Sequence, residues 1–138
     1  MEKTRLEMMV ARHEGYREKP YRCPAGKLTI GYGYNLDAGM PEDEAHMLMT
    51  WRLAKLATEL KARLPWFNWL KDERKDVLLD MAYQMGIDGL LGFKNAIAAM
   101  GAGDWNKAAG EMLDSKWARQ DSPARAKELA AIMRAGSY

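Results

Sequence analysis

The sequence predicts a mostly helical α+β protein with one short antiparallel sheet near its N-terminus. Proline and glycine exclude a long helix between residues 16 and 36, where aromatic and branched residues suit strands instead. From residue 41 onward, apolar residues recur at helical spacing, and proline or glycine marks the ends of the segments. The 138 residues suit one domain, and a hydrophobic fraction of 48% is enough for a folded core.

A first helix is predicted over residues 2–14. Its apolar face, at spacings i, i+3, i+4 and i+7, consists of Leu6, Met9, Val10 and His13. Gly15 is a helix stop, so Glu14 lies in the last turn, against the negative end of the helix dipole. That position disfavours the ionised carboxylate, as a general acid near neutral pH requires. The alternative is a solvated glutamate at a fraying helix end.

The strand-forming stretch folds back on itself at one turn. Cys23–Gly26 reads as this turn and Lys27–Tyr34 as the returning strand of a hairpin. Such a hairpin brings Cys23, Thr29 and the end of the first helix close together. No helix follows the Gly-Tyr-Gly at residues 31–33 directly, so this stretch matches a nucleotide-binding loop poorly.

A long helix follows a loop over Asp37–Pro41. Pro41 fits the first helical position, acidic residues fill the first turn, and Pro65 ends the helix after about Leu64. Its predicted apolar stripe is Ala45, Leu48, Met49, Leu53, Leu56 and Leu60.

The C-terminal half reads as several shorter helices. An aromatic cluster at residues 66–70 is either core packing at a helix junction, which we favour, or a platform for a sugar. The helix boundaries are marked by Gly86, Gly101, the N-caps Asp104 and Ser122, and Gly136. The last helix is basic on one side and could touch a membrane, but its small apolar face favours packing on the core.

Composition excludes several classes of function. A net charge of +2 with a pI near 8.6 is too mild for a nucleic-acid-binding domain, although it suits a weak attraction to an anionic polymer. A single cysteine excludes an internal disulfide, and His13 and His46 lack ligand-type spacing, so we expect neither a metal nor a cofactor. The N-terminus has no apolar run of about 7–15 residues, so we expect no signal peptide, no transmembrane helix and a cytoplasmic location.

The order of motifs resembles a known family. Glu14-Gly15, then Cys23 nine positions after Glu14, then Thr29-Ile30-Gly31-Tyr32-Gly33 resemble the phage endolysins of glycoside hydrolase family 24. In that family a glutamate is followed by aspartate, or by cysteine in some members, and then by threonine. The resemblance continues through residues 81–86, 92–95, 105–109, 115–117 and 123–126. It therefore covers nearly the whole chain.

The resemblance implies a lysozyme-like fold in one domain. A small lobe with a short antiparallel sheet (about 14–40) would be joined by a connecting helix (about 41–64) to a helical lobe (about 65–138). The N-terminal helix, residues 2–14, would pack on the helical lobe. The chain is shortened between Tyr34 and Pro41, where a loop or short helix of the small lobe is expected to be missing.

The resemblance also implies roles for individual residues. Glu14 would be the general acid, Cys23 the second catalytic group, and Thr29 would position the attacking water or support Cys23. Arg22 and Lys27 are candidates to activate the thiol, since a thiolate needs nearby positive charge. Arg125 matches an arginine that approaches the catalytic glutamate. The positions that match the saccharide cleft are Asn35, Tyr83, Gln84, Ala96 and Glu111. At Ala96 and Glu111 the chain departs from this pattern, since a better-known relative has polar uncharged side chains there.

The expected activity is that of a muramidase, hydrolysing the β-1,4 bond between N-acetylmuramic acid and N-acetylglucosamine in peptidoglycan during phage-induced lysis. A lytic transglycosylase that uses Glu14 alone and a catalytically weak peptidoglycan-binding protein are the alternatives. The expected partner is peptidoglycan, with no nucleic acid and no stable membrane insertion. We expect a monomer held in the host cytoplasm until a holin-like permeabiliser releases it to the cell wall.

Overall fold

The computed structural model describes residues 2–138, and the chain divides into two units after Met47. The first unit begins with helix α1 (Arg5–Glu14), whose N-cap Thr4 accepts a 3.1 Å hydrogen bond from the Glu7 amide. Three antiparallel strands follow, in the order β1 (Arg17–Arg22), β2 (Leu28–Gly31) and β3 (Tyr34–Asn35). The predicted short antiparallel sheet is therefore confirmed.

Two glycines divide the predicted returning strand, Lys27–Tyr34, into the separate strands β2 and β3. Gly31 and Gly33 have φ values of 64° and 69°, a region that favours glycine, and they turn the chain between β2 and β3. Tyr21 lies opposite Thr29 across β1 and β2, and Thr29 lies opposite Asn35 across β2 and β3. Thr29 consequently occupies the centre of the sheet.

The connection after β3 contains a single 3₁₀ turn, Leu36–Ala38, and helix α2 then runs over Glu42–Arg63. Pro41 precedes the helix rather than starting it, and its carbonyl accepts a 3.0 Å bond from the Ala45 amide. Only the second half of the predicted apolar stripe is buried, at Leu56 and Leu60. In the first half, Leu48 is 56% exposed, so this part of the prediction is wrong.

The second unit, Leu48–Tyr138, contains the hydrophobic core. Beyond α2 it consists of a 3₁₀ turn (Phe67–Trp69), α3 (Asp72–Leu91), α4 (Lys94–Gly101), α5 (Trp105–Leu113), a π-helical turn (Trp117–Asp121) and α6 (Pro123–Ala135). Gly86 interrupts α3 with φ 79° and ψ 165°, at the position where the sequence predicts a helix end. The helix resumes after this break because Ile87 and Leu90 are buried in the core.

The aromatic cluster packs largely as core, as the sequence favours. Phe67 and Leu70 are buried, and Trp66 packs against the core from its edge. Trp69 is the exception, since its side chain is 86% exposed.

Two predicted N-caps behave differently. Asp104 caps α5 by accepting a 3.2 Å bond from the Lys107 amide, as predicted. Ser122 precedes α6, but its hydroxyl makes no capping bond and instead accepts a 2.7 Å bond from the Gln84 side chain. Helix α6 buries its apolar side in the core and ends at Gly136 with φ 71°. No helix within residues 2–138 is long and apolar enough to cross a membrane.

Arg74, a buried arginine whose role the sequence does not reveal, caps the C-terminal end of α6. The Arg74 guanidinium donates to the carbonyls of Met133 and Arg134 at 2.8 and 3.1 Å and lies 3.9 Å from the Trp105 ring centre. A cation at a helix C-terminus is favourable because it opposes the negative end of the dipole. Desolvation lowers the pKa of Arg74 without removing its charge.

Candidate active site

Glu14 is the last residue of α1. The helix ends because Gly15, with φ 72°, returns its amide to the Ala11 carbonyl at 2.8 Å. The Glu14 carboxylate lies directly against Gly33, where a side-chain carbon would lie only 2.7 Å from Glu14 Cδ. Gly33 therefore satisfies two requirements, a positive φ and room for the carboxylate. The glycines of the Gly-Tyr-Gly segment at residues 31–33 are thus explained by the backbone conformation and by the space that Glu14 needs.

Cys23 begins a tight turn. Its amide donates to the Lys27 carbonyl at 2.9 Å, and its carbonyl accepts from the Gly26 amide at 2.8 Å. The side chain is partly exposed. Hydrogen bonding from the Lys27 backbone is the largest cause of a lowered pKa for the Cys23 thiol. Desolvation opposes it, and the Ala25 backbone and the Thr29 hydroxyl add to it. The turn thus favours the thiolate, the reactive form of cysteine.

The thiol is activated by different groups from those predicted. The donors are backbone amides and a hydroxyl rather than the charges of Arg22 and Lys27. Arg22 is otherwise engaged, since its guanidinium donates to the Gly26 carbonyl at 3.2 Å and lies 3.5 Å from the Asp37 carboxylate. Its contribution is to hold the turn and the strand end together.

Thr29 is buried in β2, and its hydroxyl donates to the Lys27 carbonyl at 2.9 Å; the Thr29 side chain is also one of the smaller causes of the lowered Cys23 pKa. The hairpin thus brings Cys23 and Thr29 together, as expected. Asn35, opposite Thr29 in the sheet, uses its side-chain oxygen to accept from the amides of Asp37 and Ala38 at 3.0 and 3.3 Å. Its predicted contact with substrate stays a prediction.

In the second unit, Gln84 uses both ends of its side-chain amide. Its nitrogen donates to the Ser122 hydroxyl at 2.7 Å, and its oxygen accepts from the Trp117 indole at 2.9 Å. Gln84 therefore fastens α3 to the π-helical turn and to the start of α6. Its neighbour Tyr83 is 46% exposed and lines a cavity of about 410 Å³ with Leu48, Trp51 and Arg52.

The two departures from the family pattern, Ala96 and Glu111, line the same cavity of about 440 Å³. Ala96 is buried, whereas Glu111 is half-buried. The aromatic part of the lining is an edge-to-face pair, Phe93 and Trp117, with ring centres 5.7 Å apart. The structure thus groups these two positions, although whether they contact substrate stays a prediction.

Arg125 is bound within the second unit. Its guanidinium donates to the Asp80 carboxylate at 2.7 Å and to the Asp80 carbonyl at 3.3 Å. Sequence reasoning missed Asp80 because an acidic residue on a helix carries no local sign of a partner forty-five residues away. The predicted approach of Arg125 to Glu14 stays a prediction.

Residues 2–138 contain no group of three histidine, cysteine or acidic side chains that could hold a metal ion.

The sequence model of the phage lysozyme family matches residues 11–134. The pre-baseplate central spike protein Gp5 of Enterobacteria phage T4 is 28% identical over 94% of this chain and 27% of its own length. An endolysin of Acyrthosiphon pisum secondary endosymbiont phage 1 is 24% identical over 81% of this chain and 76% of its own length. A probable T4-type lysozyme of Dictyostelium discoideum is 31% identical over 49% of this chain and 39% of its own. The chain thus spans about a quarter of the spike protein.

Proposed function

Because the chain belongs to the phage lysozyme family, we propose that it is a muramidase of the endolysin type. It hydrolyses the β-1,4 bond between N-acetylmuramic acid and N-acetylglucosamine in peptidoglycan and thereby lyses the host cell. The observation that carries this proposal is the first unit's arrangement of Glu14 at a helix end and Cys23 beside Thr29. Glycosidases need an acid for the leaving oxygen and a second group for the oxocarbenium-like centre.

Glu14 supplies the proton. As the bond between C1 and the bridging oxygen breaks, the carboxylic acid protonates that oxygen, and water forms the new bond to C1. The contact with Gly33 holds the carboxylate at the end of α1, which limits the orientations it can adopt. General acid catalysis of this kind contributes about 10²–10⁴-fold to the rate.

Cys23 takes the place of the second carboxylate. As a thiolate it accepts the proton of the attacking water, and exchange with solvent then restores both groups. We assign Thr29 to positioning that water and to supporting the thiolate, because its side chain is one of the groups that lower the pKa of Cys23. If Cys23 instead attacks C1 directly, the product retains the configuration at C1, whereas base catalysis inverts it.

The likeness to a phage endolysin supports a role in lysis, and we propose that the protein acts as a monomer after a holin-like permeabiliser opens the membrane. The weak positive charge of +2 favours encounter with an anionic cell wall.

Mass spectrometry of digested peptidoglycan tests the activity, the bond and the mechanism together. We expect reducing muramic acid ends, formed by water. Glu14→Gln keeps the side-chain shape and removes the proton, so activity should fall by at least about 10²-fold while the fold persists. The matched control is Glu18→Gln, an exposed glutamate of β1, which should keep parental activity.

Other outcomes point to the alternatives. A 1,6-anhydro product identifies a transglycosylase, in which the muramic 6-hydroxyl replaces water. Binding to peptidoglycan without any cleavage identifies a wall-binding module. A folded Glu14→Gln protein with parental activity contradicts the assignment of Glu14.

A further inference from the structure

One face of α2 in the second unit combines aromatic, apolar and cationic side chains. Leu48, Trp51, Arg52 and Lys55 follow the spacing i, i+3, i+4 and i+7, so they lie along one side of the helix. Leu56 and Leu60, at i+8 and i+12, continue this side towards the C-terminal end of α2, and both are buried in the core. Leu48 and Trp51 are 56% and 54% exposed, so the N-terminal part of this side lies outside the core packing.

This face forms a cavity with a residue of α3. Leu48, Trp51, Arg52 and Tyr83 line a space of about 410 Å³, within the size range of small-ligand sites, about 300–1,000 Å³. Two aromatic rings in such a lining provide apolar faces on which a pyranose ring can stack. An exposed patch of apolar and aromatic side chains on a protein surface commonly marks a binding site.

The charge of the cavity is positive. No acidic side chain in residues 2–138 forms an ion pair with Arg52, whereas Arg22, Arg119 and Arg125 each have a carboxylate partner. The Lys55 ammonium lies 5.2 Å from the Trp51 ring centre and adds a second positive charge beside the cavity. A free guanidinium next to an aromatic surface suits a ligand that carries a carboxylate close to an apolar ring face, since arginine binds carboxylates with two parallel hydrogen bonds.

We infer that this cavity is an accessory subsite for the peptidoglycan strand, in which a hexosamine ring stacks on Trp51 and Tyr83 and a carboxylate of the attached peptide binds Arg52. The inference rests on the proposed function and extends it, because it adds recognition of the anionic peptide to recognition of the sugar. Tyr83 lines this cavity, and its predicted contact with a saccharide stays a prediction.

Binding in the Glu14→Gln background, where turnover is suppressed, tests the inference by calorimetry with two probes. One is a soluble muropeptide of several disaccharide units that carry their peptides. The other is an oligomer of N-acetylglucosamine, which has no carboxylate. Trp51→Ala should weaken binding of both probes by about tenfold, as expected for an aromatic anchor.

Arg52→Gln should weaken binding of the muropeptide alone, by about fivefold, as expected for an exposed ion pair at the upper end of its range. The matched control is Arg63→Gln, which removes one exposed positive charge from the end of the same helix and should leave both affinities unchanged. Trp51→Phe keeps an aromatic face and should retain most of the binding. Circular dichroism verifies that each variant is folded.

The outcomes separate this inference from the proposed function. If the parent chain cleaves peptidoglycan but Trp51→Ala and Arg52→Gln bind both probes as the Glu14→Gln background does, the subsite is refuted and the muramidase stands. If Arg52→Gln weakens both probes equally, recognition of the peptide carboxylate is refuted. If the parent chain neither cleaves nor binds peptidoglycan, both proposals fail.

Discussion

The two units of the chain hold their side chains in place by different means. In the first unit, up to Met47, Thr29 is the one buried residue among those the structure describes. Its candidate catalytic groups are instead fixed by turns, glycine conformations and backbone hydrogen bonds around Glu14 and Cys23. The second unit buries side chains such as Leu60, Leu78 and Met133 completely.

This difference predicts which substitutions should change activity and which should change stability. A catalytic group that is held by backbone geometry can be replaced without leaving a cavity, so its loss should affect chemistry and leave stability nearly unchanged. A buried apolar side chain of the second unit such as Leu60 or Met133 has no predicted role in the chemistry, so its removal should affect stability alone. Substitutions that separate activity from stability therefore test the comparison directly.

The largest expected effect is the loss of activity in Cys23→Ala. If the thiolate acts as base or nucleophile, cleavage of peptidoglycan should fall by about 10²–10⁴-fold, the usual contribution of such a group. The melting temperature should change little because Cys23 is partly exposed. Cys23→Asp restores the carboxylate found in other members of the family and should keep a substantial part of the activity. If Cys23→Ala keeps full activity and the product is a 1,6-anhydro sugar, Cys23 is only a packing residue and the enzyme is a transglycosylase that depends on Glu14.

The next effect is on stability and compares two methionines. Met133 on α6 is completely buried, whereas Met47 on α2 is 71% exposed. Met133→Ala should lower the free energy of unfolding by about 2–5 kcal/mol, and Met47→Ala should change it by less than about 0.5 kcal/mol. Urea denaturation measures both. Cleavage per folded molecule should stay at the parental level in each variant. Equal losses of stability would mean that the first unit depends on side-chain packing as much as the second does.

Local features of the fold were predictable from the sequence because their causes lie within a few residues. The Gly15 helix end, the turn after Cys23 and the Asp104 cap each depend on contacts inside one turn of chain. The grouping of Cys23 and Thr29 was also predictable, since a hairpin with a short turn allows few registers.

Features that depend on distant partners were not predictable. Ser122 has the sequence of an N-cap, yet its hydroxyl makes no capping bond and instead accepts from Gln84, thirty-eight residues away. The role of Gly33 in making room for Glu14 depends on how α1 meets the sheet. The source of the lowered Cys23 pKa depends on where individual amide hydrogens point, which a turn motif alone does not specify.

The smallest expected effect concerns Thr29. This residue is buried, as in the core of the second unit, and its hydroxyl bonds to the backbone of the turn, as is typical of the first unit. Thr29→Val keeps the volume and removes a hydroxyl that donates to the Lys27 carbonyl and contributes to the lowered pKa of Cys23. Loss of one hydrogen bond should lower the free energy of unfolding by about 0.5–1.5 kcal/mol. Because Thr29 is buried in the sheet, this cost should be measurable although the first unit has little other packing.

The same substitution should also move the titration of the thiol. The Thr29 side chain is one of the causes that lower the pKa of Cys23, so removing its hydroxyl should raise that pKa towards its ordinary value. In the parent chain, the rate of alkylation by iodoacetamide should therefore reach half its maximum at a lower pH than for an ordinary cysteine, and in Thr29→Val at a pH between the two. The shift should be partial because the backbone of Lys27, the largest cause of the lowered pKa, is untouched. An unchanged alkylation profile in a folded Thr29→Val protein would show that backbone hydrogen bonds alone activate Cys23, and Thr29 would then be a packing residue of the sheet.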